Sequence, residues 1–297
     1  MGDTAQIVPR GPFSLPAAAG FGFGPNEGRP PPFDGAMRLA FPIDGGTGYA
    51  GAILRQPEPD GPVQVELELR ETGDAESAVA QIARVISLDH DGEEFLEVGS
   101  RDPAIGVLQR AHPGQRPVLF HSPYEGAAWA IISARRPAAQ GASVRNELGE
   151  RLGASFELAG RTLQAFPQPE ALAGLENFPG LGADKVERLR GVAQAASEGA
   201  LDLAHLHKLG PERAYDEVQQ LKGIGPFYAG LVVLRACGFA DAMLATPEPK
   251  VLRNAARLYG LDAPPTLAEL AERAESWRPF RTWVTVLIRL AGDRGTF

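Results

Sequence analysis

Val218-Gln219-Gln220-Leu221-Lys222-Gly223-Ile224-Gly225-Pro226-Phe227-Tyr228-Ala229 is the stretch on which the reading of this chain turns. Two glycines flank one apolar residue between segments of helical period, so the backbone can turn through conformations that a Cβ resists. Pro226 then opens a second helix, where its missing N–H costs nothing. The unpaired N–H groups of that helix start, unobstructed by side chains on the glycines, make a surface on which a phosphate can rest directly. Lys222, Gly223, Ile224 and Gly225 are therefore candidate backbone-phosphate contacts.

Outward from the hairpin, apolar residues recur three or four apart almost everywhere after Asp74, beginning with Val79, Ile82 and Val85. This spacing predicts helices near 101–111, 123–135, 138–152, 183–198, 211–221, 226–238, 248–259, 267–276 and 280–291, punctuated by Pro137, Pro167, Pro169, Pro179, Pro211 and Pro226. The N-terminal part reads differently. Val63-Gln64-Val65-Glu66-Leu67-Glu68-Leu69 alternates strictly, as a strand with one wet face requires, and Met37–Phe41 and Tyr49–Arg55 have extended character on either side of a Gly45-Gly46-Thr47-Gly48 break. Residues 1–35, rich in Gly and Pro, read as an irregular lead-in. The expected architecture is α+β: a small antiparallel sheet domain over 1–72 and an all-helical domain over 73–297.

Composition narrows the class. At 297 residues the chain is long enough for a substantial core, and 44% hydrophobic with 22% charged residues is ordinary for a globular protein. The single cysteine, Cys237, permits no internal disulfide and no multi-thiolate metal site, which suits a reducing cytoplasm. Lys+Arg 29 against Asp+Glu 37 leaves a net charge of −8, so a protein that coats phosphates generically is excluded, although a local amide-lined surface is not. No run is long enough to span a bilayer, and Met1-Gly2-Asp3-Thr4 does not open an export signal; the expectation is a protein that stays in the cytoplasm, away from membranes.

The hairpin resembles the helix-hairpin-helix motif, and further segments narrow the resemblance. Ser276-Trp277-Arg278-Pro279-Phe280-Arg281-Thr282-Trp283 is similar to the Trp-Arg-Pro-Trp/Phe-Arg segment of DNA-3-methyladenine glycosylase II, and Ser122-Pro123-Tyr124-Glu125-Gly126-Ala127 to the opening of that family's central core. Phe178-Pro179-Gly180-Leu181 and Lys185–Leu189 also look like it, so the resemblance spans nearly the whole chain. It implies a helix-hairpin-helix glycosylase core, duplex DNA with a damaged base as partner, a monomeric protein, and hydrolysis of the base–sugar bond after the base is flipped into an aromatic-lined pocket. It implies no required cofactor and no nucleotide, with room for a structural monovalent cation on the hairpin carbonyls.

The family's aspartate at the start of the helix after the hairpin has no direct counterpart here. Leu244-Ala245-Thr246-Pro247-Glu248-Pro249-Lys250 offers Glu248 if five residues are counted back from Arg253, and Pro249 if four are counted. Glu248 is the candidate catalytic carboxylate, needed because positive charge grows on the sugar as the bond breaks; read blandly, it is an N-terminal acid that favours the helix dipole. Asp241 stands in reserve. Tyr124, Trp129, Phe227, Trp283 and Arg289 are candidate pocket residues, with Phe227 where bifunctional relatives carry a Schiff-base lysine, so that no amine-dependent strand nicking is expected. Phe227 reads equally as core packing, and Arg289, in place of the family's aromatic, as the partner of an acid such as Glu248. Arg135 and Arg136 align with the family's intercalating wedge, or else contact phosphate from a helix end.

Other polar features have structural readings. His205-Leu206-His207 lacks partners for a metal and reads as a surface helix, Cys237 as a buried small residue, and Asp89–Glu94 as an acidic turn too short for calcium. Three functions remain open from sequence: a monofunctional glycosylase for alkylated, 3-methyladenine-type purines using Glu248; a catalytically silent damaged-DNA binding or sensing protein; and a glycosylase with a displaced catalytic residue and another lesion.

Overall fold

The computed structural model describes residues 3–21, 32–45 and 48–297; the proline-rich 22–31 of the expected lead-in and residues 46–47 of the glycine break lie outside them. Strands β1 (Asp3–Ile7), β2 (Met37–Pro42), β3 (Tyr49–Arg55) and β4 (Val63–Arg70) form an antiparallel sheet in the order β1-β4-β3-β2. In β4 the alternation holds residue by residue, with Val63, Val65 and Leu67 buried and Gln64, Glu66 and Glu68 exposed.

The expectation of an irregular 1–35 is corrected in two places. Asp3–Ile7 pairs with β4, Ala5 facing Val65 and Ile7 facing Val63, and helix α1 (Leu15–Ala19) starts from a Ser14 cap. Only Ile7 of β1 is buried, so the strand owes its existence to the hydrogen bonds of its neighbour and not to its own pattern.

Helix α2 (Ala75–Val85), capped by Asp74 on the Ser77 N–H at 2.7 Å, lays Ala78, Ile82 and Val85 on the sheet's inner face. The helices that follow are α3 (Gly92–Arg101), α4 (Pro103–Ala111), α5 (Pro123–Ser133), α6 (Ala138–Leu152), α7 (Pro169–Ala173), α8 (Ala183–Ser197), α9 (Leu203–Leu209), α10 (Pro211–Gln219), α11 (Pro226–Arg235), α12 (Pro249–Tyr259), α13 (Leu267–Arg273) and α14 (Arg281–Asp293). The supposed acidic turn is the start of α3: Asp91 caps it on the Glu93 N–H at 2.9 Å, and Glu93 and Glu94 lie in the first turn, where negative charge is favoured.

The helical part is also interrupted, against expectation, by a hairpin of β5 (Ser155–Leu158) and β6 (Arg161–Gln164). Ala159 and Gly160 both take positive φ, +45° and +76°, the turn that matches strand twist. Phe156 lies over Gly51 of β3, where a Cβ would come within 2.4 Å of its ring, so the glycine makes room for the hairpin on the outer face of the sheet.

Two cores organise the helices. One surrounds α5, which is buried along its whole length against α6, α8 and α11; the other surrounds α14, with Trp277, Phe280 and Trp283 at its centre. Among the described residues no helix is long and apolar enough to cross a membrane.

Candidate nucleic-acid interface and base cleft

The hairpin forms as its sequence predicts. Leu221 and Ile224 close the turn, Ile224 N–H donating to the Leu221 carbonyl at 3.0 Å while its side chain, 3% exposed, anchors the turn in the core. Gly223 sits at φ +93°, a conformation that favours glycine. Gly225 does not: its φ is −82°, and a Cβ there would meet open space. That glycine is not required by the turn, which corrects the expectation that both glycines serve backbone freedom; it keeps bare the amide surface at the start of α11. No side chain caps that start among the described residues, so its orphan N–H groups face outward. Lys222 reaches Glu187 at 2.7 Å with both side chains largely exposed, an ion pair that water screens and a phosphate could displace.

One turn into α11 the hairpin opens on a cleft of about 90 Å³ between the two helical cores. Phe227, 51% exposed, stands at its edge; Leu231 and Leu234 of α11 and Val286 of α14 line it. Thr282 and Thr285 also line it, but their hydroxyls are spent on the Ala242 and Arg281 carbonyls at 3.1 and 2.8 Å, which leaves the wall largely apolar.

Glu248 enters this cleft as the N-cap of α12, one carboxylate oxygen accepting the Val251 N–H at 2.6 Å. The cap uses Oε2 and leaves Oε1 for other work. Arg289 lies on the facing wall, paired with Asp293 at 3.2 Å and not with Glu248. A second guanidinium was missed by the sequence reading. Arg235, within what reads as an apolar run, lines the cleft and donates to the Val118 carbonyl at 2.6 Å; burial, with the charge of Arg289 added, pushes it down to about 9. A lone charge in an apolar helical run was the available signal.

Several candidates lie elsewhere. Asp241 does not line the cleft: its carboxylate takes Arg281 at 2.7 and 3.0 Å and Arg278 at 2.8 Å, a staple between the loop before α12 and the start of α14. Tyr124 and Trp129 belong to the core around α5, with the Tyr124 hydroxyl donating to the Pro167 carbonyl at 3.1 Å. Trp283 is wedged between Phe95 and Phe280, ring centroids 5.1 and 5.0 Å away. These three rings have core roles, and of the five pocket candidates only Phe227 and Arg289 reach the cleft.

The loop after α5 places its two arginines differently. Arg135 is exposed on a left-handed backbone, φ +55°, a strained setting for a residue with a Cβ. Arg136 turns back onto the Gly180 carbonyl. Lys185 of α8 fastens the loop by donating to the Ile132 and Ala134 carbonyls at 2.9 and 2.8 Å. At the other end of α5, Glu125 takes His121 at 2.7 Å and Arg145 at 2.6 Å, a buried network that sequence reasoning did not find. Burial opposes its charge, but the Arg145 guanidinium and the hydrogen bonds from His121 and Arg145 outweigh it and hold its carboxyl down at about 2.

No family model matches the chain. It is 26% identical over 214 residues to a Bacillus subtilis protein named DNA-3-methyladenine glycosylase, covering 71% of this chain and 70% of that one. It is 30% identical over 258 residues to a Mycobacterium tuberculosis protein named probable bifunctional transcriptional activator/DNA repair enzyme AlkA, covering 85% of this chain but about half, 49%, of that relative's length. In fold it matches the 3-methyladenine DNA-glycosylase of Archaeoglobus fulgidus with a TM-score of 0.77 over 98% of both chains at 24% identity. With the hairpin, the cleft beside it and these likenesses together, the chain is a 3-methyladenine-glycosylase-like member of the helix-hairpin-helix DNA glycosylase superfamily.

Proposed function

We propose that this chain excises alkylated purines of the 3-methyladenine type from duplex DNA by hydrolysis. One observation carries the reading: the amide surface for a phosphate, an exposed aromatic ring and a carboxylate lie along one continuous path, from Gly225 through Phe227 to Glu248. The hairpin amides hold the backbone, the flipped base enters the cleft against Phe227, and the free oxygen of Glu248 faces the sugar. As the C1′–N bond breaks, its electron pair leaves with the base and positive charge grows on the sugar; the carboxylate stabilises that charge and takes the proton of the attacking water. Phe227 offers a ring and no amine, which supports simple hydrolysis without strand nicking. No external cofactor enters these steps. The turn's Gln220, Lys222, Gly223 and Ile224 carbonyls accept no backbone hydrogen bond among the described residues, and a structural monovalent cation would draw its oxygen ligands from among them.

The test is release of free methylated purine from methylated duplex DNA by the purified chain. A second reading has its own observation, since Glu248 already serves as a helix cap. A chain that binds damaged duplex tightly and releases no base from any alkylated or oxidised duplex would be a damage-binding protein on this fold.

A further inference from the structure

Between the loop after α5 and the hairpin lies a group of cations that this acidic chain leaves largely unneutralised. Lys185 and Arg188 stand one turn apart on α8, and Arg136 reaches toward them from the loop. Burial, together with the charges of Arg136 and Arg188, lowers the Lys185 ammonium from its usual range, which places the three groups within each other's field. Arg188 lies directly against the turn: a Cβ on Gly223 would come 2.6 Å from its Cδ and 3.1 Å from its Nε. The acids nearby do little to compensate. Asp184 is 4.0 Å from Arg188 and 87% exposed, and Glu187 is engaged by Lys222. Arg136 Nη1 and Arg188 Nε are shielded from solvent and have no hydrogen-bond partner among the described residues. Concentrated like charge is costly unless an anion completes it, and guanidinium forks match phosphate oxygens.

We propose that Arg136, Lys185 and Arg188 form a second phosphate seat, distinct from the hairpin amides, which takes one backbone phosphodiester of DNA between the projecting Arg135 and the Gly223–Gly225 turn. The seat rests on the reading of duplex DNA as partner. Its consequence is mechanical: two phosphates held next to each other, one on the seat and one on the turn, fix the strand while Arg135 enters the space left by the flipped base.

The test is the salt dependence of affinity of the full chain for a duplex carrying an abasic-site analogue, read by fluorescence anisotropy between about 50 and about 200 mM salt. Arg188→Gln should lower the slope of log affinity against log salt by about one unit and weaken binding about 5–10-fold at the upper salt. Arg188→Lys should keep the slope. Arg190→Gln, which removes the same charge from an α8 side chain that donates instead to the Ala173 carbonyl, should also keep it. A parent that binds, with Arg188→Gln at the parent's slope, overturns the seat and leaves the DNA reading standing. Equal slope losses in Arg188→Gln and Arg190→Gln overturn it too, as a general charge effect. A parent that does not bind duplex at the lowest salt overturns both the partner and the seat.

Discussion

Replacing Glu248 separates the helix cap that the structure shows from the catalytic role proposed for the same side chain. Its Oε2 caps α12 through the Val251 N–H at 2.6 Å, while its remaining oxygen belongs to the cleft. Glu248→Ala removes the cap and the charge together; loss of an N-cap costs about 1 kcal/mol, and each kcal/mol moves the melting temperature of a chain this size by about 2–4 °C. Glu248→Gln keeps an acceptor for the Val251 N–H and loses only the charge at the helix N-terminus, worth a few tenths of a kcal/mol up to about 1. The chemistry responds differently. A carboxylate that stabilises the developing sugar cation accounts for about 10²–10³ in rate, or about 2.7–4 kcal/mol. Single-turnover release of methylated purine should therefore fall about 100-fold or more in Glu248→Gln with a melting temperature within about 4 °C of the parent, whereas Glu248→Ala should lose both. Base release by Glu248→Gln at the parent's rate would refute the catalytic assignment and leave the residue a cap alone.

Three further outcomes follow from named contacts. Glu125 has a folded-state pKa near 2 against an ordinary 4.5, so its stabilisation is complete above about 4.5 and is lost as pH falls through about 2; the unfolding free energy from urea titrations should drop across that window by an amount of the order of 3 kcal/mol, with the midpoint falling in step, and Glu125→Gln should flatten the drop while destabilising the chain at neutral pH, because Arg145 is left buried without its partner. A wild-type midpoint that does not move between pH 5 and pH 2 would contradict the network. Gly223→Ala should lower the melting temperature, since a Cβ at φ +93° is strained and meets Arg188. Gly225→Ala should melt like the parent yet bind abasic duplex more weakly, because its Cβ would project where the phosphate approaches; undiminished binding would show that the amide surface is not the contact.

The local elements are written in short stretches of the chain. The alternation of Val63–Leu69, the proline-opened helices at Pro123, Pro211 and Pro226, and the Gly223-Ile224-Gly225 turn are each specified within a few residues by backbone sterics and periodic burial, and each stands where the pattern places it. The resemblance carried by four ordered segments was legible for the same reason. Tertiary structure alone decided which surfaces face the cleft. Apolar spacing marks Tyr124, Trp129, Trp283 and Phe227 as aromatic residues on helices, but burial against α6, α8 or Phe95 is settled by elements far away in the chain, and only Phe227 is left uncovered. Asp241 looked available until Arg278 and Arg281, about forty residues on, closed over it, and Arg235 looked like part of an apolar run until α14 came to face it. Strand β1 and the β5–β6 hairpin likewise needed partners before their weak patterns could become structure. A helix or turn is an agreement among neighbours in sequence, whereas a cleft is a concavity between surfaces that meet only on folding, and so its lining is written in the packing.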